Sequence, residues 1–182
     1  HRGLKPEILL QLKHQANQLS ILPVLVYGYP PVARIDGRKL TLLQGTDIPA
    51  RDEATEERYM HLLERELALR VGEAQHAEGL HAARWVRQIL AAASRLAWLR
   101  IEGSHIERFY TRSSLQPTVR SSADDIEISF TSGEVQGVPL RAEPRAVLRA
   151  FERGEDMVCL LDNAGCAPLP LDWLHRFGRQ IQ

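Results

Sequence analysis

Hydrophobic and polar positions recur along the chain with a changing period, and that period sets the expected elements. Leu4, Ile8, Leu12, Ala16 and Leu19 stand at helical spacing, which predicts a helix over residues 4–19 with Pro6 in its first turn. Residues 21–27 (ILPVLVY) are a short apolar run and read as a strand, ended by Gly28-Tyr29-Pro30-Pro31. Residues 32–43 (VARIDGRKLTLL) place the turn pair Asp36-Gly37 between two apolar arms and read as a hairpin. A loop follows over residues 44–50, with Gly45 and Pro49. Asp52 suits the cap of a second helix, and Glu53, Glu56 and Glu57 suit the positive end of its dipole. Tyr59, Leu63, Leu67 and Val71 form its inward stripe, with Leu62 and Leu69 beside it. After a weak connection over 72–79, residues 80–98 carry the strongest helical pattern. Trp85, Ile89, Ala92, Leu96 and Leu99 make its apolar face, and Arg84, Arg87, Ser94 and Arg95 lie off that face.

Shorter periods dominate the second half. Residues 101–110 read as a strand broken by Gly103, and Leu115-Gln116-Pro117 as loop. Residues 125–130 (DIEISF) alternate as a half-buried strand does, and Thr131-Ser132-Gly133-Glu134 is expected to turn it into residues 135–140. Residues 141–152 predict a short helix with Ala146, Leu148, Ala150 and Phe151, and 157–161 a buried strand. Asp162-Asn163-Ala164-Gly165 is a turn, and residues 171–182 predict a last helix with Asp172 near its cap and Trp173, Leu174 and Phe177 inward. The expected class is α+β, with short strands and hairpins packed against four to five helices. The Ser-rich, Pro-containing stretch 111–124 suggests a division into residues 1–115 and 116–182, with a single domain as the alternative.

Composition narrows the function classes. The chain has 182 residues, 44% hydrophobic and 25% charged, which supports a packed core rather than disorder. Basic and acidic residues balance at 23 each, so the chain as a whole does not announce a nucleic-acid partner. The balance is uneven, however. Residues 80–120 carry seven Arg against Glu102 and Glu107, whereas residues 121–182 carry six basic and ten acidic side chains. Such asymmetry marks either a phosphate footprint or two parts that dock on each other. No run of about 18 apolar residues spans a membrane, and the first residues lack the pattern of a signal peptide. His1 reads as a cut end of something longer. Two cysteines, Cys159 and Cys166, suggest no disulfide framework and fit a reducing, cytoplasmic compartment.

Candidate chemistry is sparse. No phosphate-cradling loop, dinucleotide fingerprint, nucleophile elbow or paired-His zinc helix occurs. Cys159 and Cys166 are spaced too widely for a structural zinc pair, and Cys159 reads as a small core residue. His76 and His81 read as surface histidines, and Asp124-Asp125 as a loop and cap rather than an acid–base pair. Neither a metal, nor a cofactor, nor a catalytic residue is therefore expected. The stronger candidate is a basic stripe of Arg84, Arg87 and Arg95 on one helix with Arg108, Arg112 and Arg120 downstream, set out as phosphate ligands. Phe109 and Tyr110 would supply stacking on an exposed base. The competing reading is a solvated helix face and ordinary strand residues.

Three stretches carry a resemblance. ARDEATEERYMHLLER joins an Arg-Asp to an acidic helix start, ADDIEISFTSGEVQGVPL gives an acidic strand start and a second strand, and VLRAFERGEDMVCLLDNAGCAPLPLDWLHRFG runs from helix to strand to a Trp-Leu helix. In this order they resemble the accessory region N-terminal to the motor in bacterial Swi/Snf-type helicase-like ATPases, over roughly residues 20–182 and most clearly in the last sixty. Trp-Phe usually follows the Asp at the strand start of that region, where this chain has Ile126-Glu127 after Asp125. The family couples ATP hydrolysis to movement along duplex DNA with a two-lobed motor whose motifs lie outside this chain. The resemblance therefore implies a module without activity of its own, cytoplasmic, and nucleoid-associated where DNA is the partner. Its expected partners are the motor lobes of the same polypeptide and duplex DNA, with a protein-interaction role free of DNA as the alternative.

Overall fold

The computed structural model describes residues 3–15, 18–103, 109–111, 113–135 and 137–178. The described residues hold four helices and eleven strands, an α+β arrangement. The strands are β1 (Pro6–Gln15), β2 (Gln18–Tyr27), β3 (Ala33–Asp36), β4 (Lys39–Leu42), β5 (Gln75–Glu78) and β6 (Leu99–Glu102). After them come β7 (Gln116–Ser122), β8 (Asp125–Val135), β9 (Val138–Ala142), β10 (Met157–Cys159) and β11 (Cys166–Pro168). The helices are α1 (Glu53–Leu67), α2 (Gly79–Arg95), α3 (Pro144–Glu152) and α4 (Leu171–Phe177). They divide between two compact units, one of residues 1–77 with 85–104 and the other of residues 78–84 with 105–182. The first turns of α2 belong to the second unit and the rest of that helix to the first.

The first unit is built on a six-stranded sheet in the order β4-β3-β2-β1-β6, with β5 also pairing β2. All neighbours with a defined register are antiparallel except β1 and β6, which run parallel with Ile8 opposite Leu99. The helix expected over residues 4–19 is two strands instead. Pro6 pairs with Tyr27 and Gln15 with Gln18, so β1 and β2 form one long hairpin; Ala16 lies outside the described residues. The reason is position. β1 lies between β2 and β6, paired along both edges, and a spacing of four, being even, keeps Ile8 and Leu12 on one face of a strand as well as of a helix. Ile8, Leu9, Leu10 and Leu12 are all buried, so their run matches a helical period by coincidence. Leu9, Val24 and Val26 cluster on one face of the sheet, with Leu22 beside them.

The β3–β4 hairpin forms as the sequence suggests, but Asp36 already pairs with Lys39, so the two loop residues are Gly37 and Arg38. Gly37 takes φ +62°, which a side chain would resist. Asp52 caps α1: its Oδ1 accepts from Thr55 N–H at 3.2 Å and its Oδ2 from the Thr55 hydroxyl at 2.6 Å. Those two donors hold the Asp52 carboxyl below its ordinary pKa. The inward stripe of α1 narrows to Glu56 and Leu63, and α1 ends at Ala68, a non-glycine residue at φ +54°. Tyr59 stacks on Trp98 with ring centres 4.6 Å apart. In α2, Ala82, Ala83, Val86, Ile89 and Ala92 are buried, and Leu99, assigned by spacing to the same helix, is the first residue of β6. The helix ends at Arg95 and the chain turns through Trp98 into the sheet.

In the second unit β7, β8 and β9 make an antiparallel sheet. β7 falls in the stretch read as a break. All its residues but Pro117 are exposed, so no apolar alternation betrays it. The expected turn at 131–134 is a bulge: β8 runs on to Val135, with the register shifting between Thr131 and Glu134 and Gly133 at φ +57°. The core gathers Leu115, Phe130, Ala142, Val147, Ala150, Val158, Leu160, Ala167, Leu169 and Leu174. Trp173 meets Phe130 edge-on at 5.7 Å. Phe177, expected inward, is 42% exposed and leans on Trp173 instead.

Candidate functional site

The six arginines of the expected stripe occupy different settings. Arg84 and Arg87 are half-buried on α2 and Arg95 is exposed at its end. Arg95 Nη2 lies 3.0 Å from Glu66 Oε2, so a carboxylate already neutralises it. Arg120 is exposed on β7, its Cα directly opposite that of Glu127 on β8. Arg108 and Arg112 lie outside the described residues. Of the two aromatics expected to stack on a base, Phe109 is buried, and Tyr110 packs half-buried against Ala83, Met157 and Cys166. Phe109 is therefore part of the fold and offers no ring to a ligand. Arg100, in the same basic segment, donates to Glu7 Oε1 at 3.1 Å and lies over the Tyr29 ring at 4.1 Å.

A buried polar cluster tethers the start of α1. Glu56 is 2% exposed. Arg51 Nη2 donates to its Oε1 at 2.7 Å and Arg51 Nε to its Oε2 at 3.2 Å, a two-pronged pairing. The Tyr27 hydroxyl donates to Glu56 Oε2 and accepts from Asp52 N–H at 2.7 Å. Arg51 Nη1 reaches the Arg38 carbonyl at 3.2 Å, which ties the β3–β4 loop to the helix start. Burial and the hydrogen bond to Glu56 push the Tyr27 phenol up to about 12. Glu56 drives the Arg51 pKa further upward. A cleft of about 580 Å³ opens beside this cluster, lined by Leu25, Arg38, Arg51, Glu53, Glu57 and Met60 among others. Arg51 and Glu56 satisfy each other, so the cleft has a clamped wall rather than a poised acid or base.

The second unit presents a different surface. Residues directly opposite in an antiparallel sheet share a face, so Val119 and Ile128, Pro117 and Phe130, and Phe130 and Ala142 point the same way. By alternation Ile126, Val138 and Leu140 join them. The centre of this apolar face is core: Phe130 and Ala142 are buried, with Ile128 and Leu140 packed partly against them. Both ends run into solvent: Val119 is 54% and Ile126 68% exposed toward the β7–β8 turn, and Val138, opposite Val135 at the far end of β8, is 65% exposed. Leu161, in the short turn Leu161–Asn163, is 47% exposed. Val138, Leu140, Leu161 and Ala164 line a groove of about 320 Å³, with Arg141 and Asp162 among its polar walls.

Asp124 and Asp125 stand at the exposed β7–β8 turn, where Asp125 Oδ1 accepts from Ile126 N–H at 3.1 Å. His76 and His81 are exposed. Among the described residues no three His, Cys, Asp or Glu converge as metal ligands, and no helix is long and apolar enough to cross a membrane. Cys159, read from sequence as a core residue, is exposed and faces Cys166 across the β10–β11 pair. The β7–β9 face was missed because its parts, VRSS, DIEI and VPL, are each too short and polar to announce a shared surface. Comparison with known protein families, curated proteins and solved structures returned no match.

Proposed function

We propose that this chain is a non-catalytic accessory module of a bacterial Swi/Snf-type DNA-dependent ATPase, and that it works by docking the motor of the same polypeptide through the β7–β9 face. The resemblance of the three quoted sequence stretches supplies the family. The observation that carries the docking role is the apolar sheet face whose centre is the second unit's core and whose two ends reach solvent, at Val119 with Ile126 and at Val138. Isolated exposed apolar residues are ordinary, but Val138 and Leu161, both exposed, flank one groove, and such grouped apolar exposure marks an interaction surface. Arg141 and Asp162 offer one charge of each sign at the groove's border. DNA guidance has weaker support: Arg95 is paired with Glu66, and Phe109 has no free ring.

The test is binding of the 182-residue chain to the separately produced motor, by calorimetry, with a labelled duplex in a parallel anisotropy titration. Val138→Glu and Ile126→Glu should each weaken motor binding about tenfold or more, since docking would bury an unpaired carboxylate. Arg84→Ala, Arg87→Ala and Arg95→Ala together should leave it unchanged. Salt-sensitive duplex binding abolished by the triple arginine variant, with motor binding indifferent to the glutamates, would replace docking by DNA guidance.

A further inference from the structure

Cys159 and Cys166 are directly opposed on antiparallel strands, with their Sγ atoms 3.1 Å apart. Their position in the ladder brings side chains together. Cys166 N–H donates to the Phe109 carbonyl at 2.9 Å and its own carbonyl accepts from Thr111 N–H at 2.9 Å, so both groups turn away from β10. Leu160 N–H instead bonds the Gly165 carbonyl at 2.8 Å. That pattern is the non-hydrogen-bonded kind of pair, in which the Cα atoms approach to about 4.5 Å. The separation lies within the range a disulfide spans, about 4.4–6.8 Å. The two thiols differ in access: Cys159 is exposed, and Cys166 is 1% exposed in a cluster with Ala83 and Met157.

We infer that Cys159 and Cys166 form a thiol–disulfide exchange site that takes a low-molecular-weight disulfide, Cys159 attacking and Cys166 resolving. In the first step the Cys159 thiolate attacks one sulfur of the disulfide; a Cys159–sulfur bond forms and the other half leaves as a thiolate. In the second, Cys166 gives its proton to that departing thiolate and attacks Cys159 Sγ; the protein disulfide forms and the second half leaves. Two protein thiols are oxidised by two electrons and one small disulfide is reduced to two thiols. The surroundings match these roles. A hydrogen bond from the Cys166 thiol holds Cys159 low, near 7, and the backbone of Leu80 at the start of α2 adds a second donor, while burial and Glu155 oppose them. Cys166 is driven upward by its partner and by burial, with Arg84 opposing, so it remains a protonated donor until the mixed disulfide forms. The ring so closed would contain Leu161, Asp162 and Ala164, which wall the groove, so oxidation would stiffen that wall.

The experiment titrates the reduced full chain with oxidised glutathione and follows intact mass and free thiols under denaturing quench. Wild type should lose both thiols together and end lighter by two hydrogens. Cys166→Ala should stop at one persistent glutathione adduct, and Cys159→Ser should react about tenfold more slowly or more, because only the buried thiol remains. The rate for wild type should level off above a pH of about 7, and that plateau should move upward in Cys166→Ala, which lacks the stabilising thiol. Cys166→Ser serves as a second variant should the alanine loosen the core, with Trp173 fluorescence reporting the fold. A wild-type chain that ends as a mixed disulfide, forms disulfide-linked dimers, or reacts at the rate of Cys159→Ser overturns the inference.

Discussion

Replacing Arg51 with alanine removes the guanidinium that holds both oxygens of buried Glu56. Breaking a fully buried pair costs about 3–5 kcal/mol, because the abandoned charge has lost its water without keeping its partner. Two features lower the figure here. The Arg51 side chain is 23% exposed, so solvent screens part of the attraction, and the Tyr27 hydroxyl stays bonded to Glu56. The expected loss is about 2–3 kcal/mol. Urea unfolding can isolate it: in a Trp173→Phe background the remaining tryptophans, Trp85 and Trp98, both belong to the first unit. Glu56→Leu with Arg51→Met removes both charges, and should recover more than half of the loss in Arg51→Ala. An Arg51→Ala chain within about 0.5 kcal/mol of wild type would refute the clamp. So would a double variant whose loss equals the sum of the single ones.

The same cluster gives a pH signature. The folded Tyr27 phenol is pushed up to about 12 from an ordinary 10, so its contribution is whole below pH 10 and is lost as pH rises through about 12; the loss should reach ~3 kcal/mol and vanish in Tyr27→Phe. At the acid end the Asp52 carboxyl is lowered, so its cap is intact above the ordinary carboxylate pKa and weakens as pH falls through the folded value, a dependence that Asp52→Asn should flatten in acid unfolding curves. Gly103→Ala should destabilise the first unit by ~2 kcal/mol or more in urea unfolding, since φ is +149° and a Cβ would stand 2.5 Å from the Leu12 carbonyl oxygen. Ala68→Gly should act in the opposite sense, stabilising by ~1 kcal/mol through relief of the left-handed cap of α1. Phe130→Ala should cost the second unit ~3–5 kcal/mol and shift Trp173 emission, because the two rings meet in its core.

Local signals suffice where local physics decides. The Asp52 cap needs Thr55 three residues on, and the β3–β4 hairpin needs a glycine at its turn; both are written in adjacent letters. Long-range arrangement was not legible in the same way. Ile8, Leu9 and Leu10 are strand because β2 and β6 pair with the two edges of their segment, and β6 itself begins at Leu99, whose spacing suits a helix. β7 was invisible because a strand with an exposed ladder of Ser, Thr and Arg carries no hydrophobic period. Site chemistry fared likewise. Arg84, Arg87 and Arg95 do share a helix, but the partner of Arg95 is Glu66 on another helix, which spacing along α2 cannot disclose. The Cys159–Cys166 contact depends on β-register: a spacing of seven is a poor metal signature and becomes a facing pair only once a short hairpin folds between them.

The parallel pairing of β1 with β6 sets a schedule for synthesis. β1 finds β2 at once across a tight hairpin, but its other edge waits for Leu99, about ninety residues later. At about 5–20 residues per second that is roughly 5–20 s of elongation. Throughout that interval a nascent chain would carry an unpaired edge on a strand whose sequence is ILLQL, the kind of edge that recruits strands from neighbouring chains. Crowded polysomes, rather than the finished protein, are where this architecture is most exposed to aggregation, and slowing translation before residue 99 would lengthen the hazard.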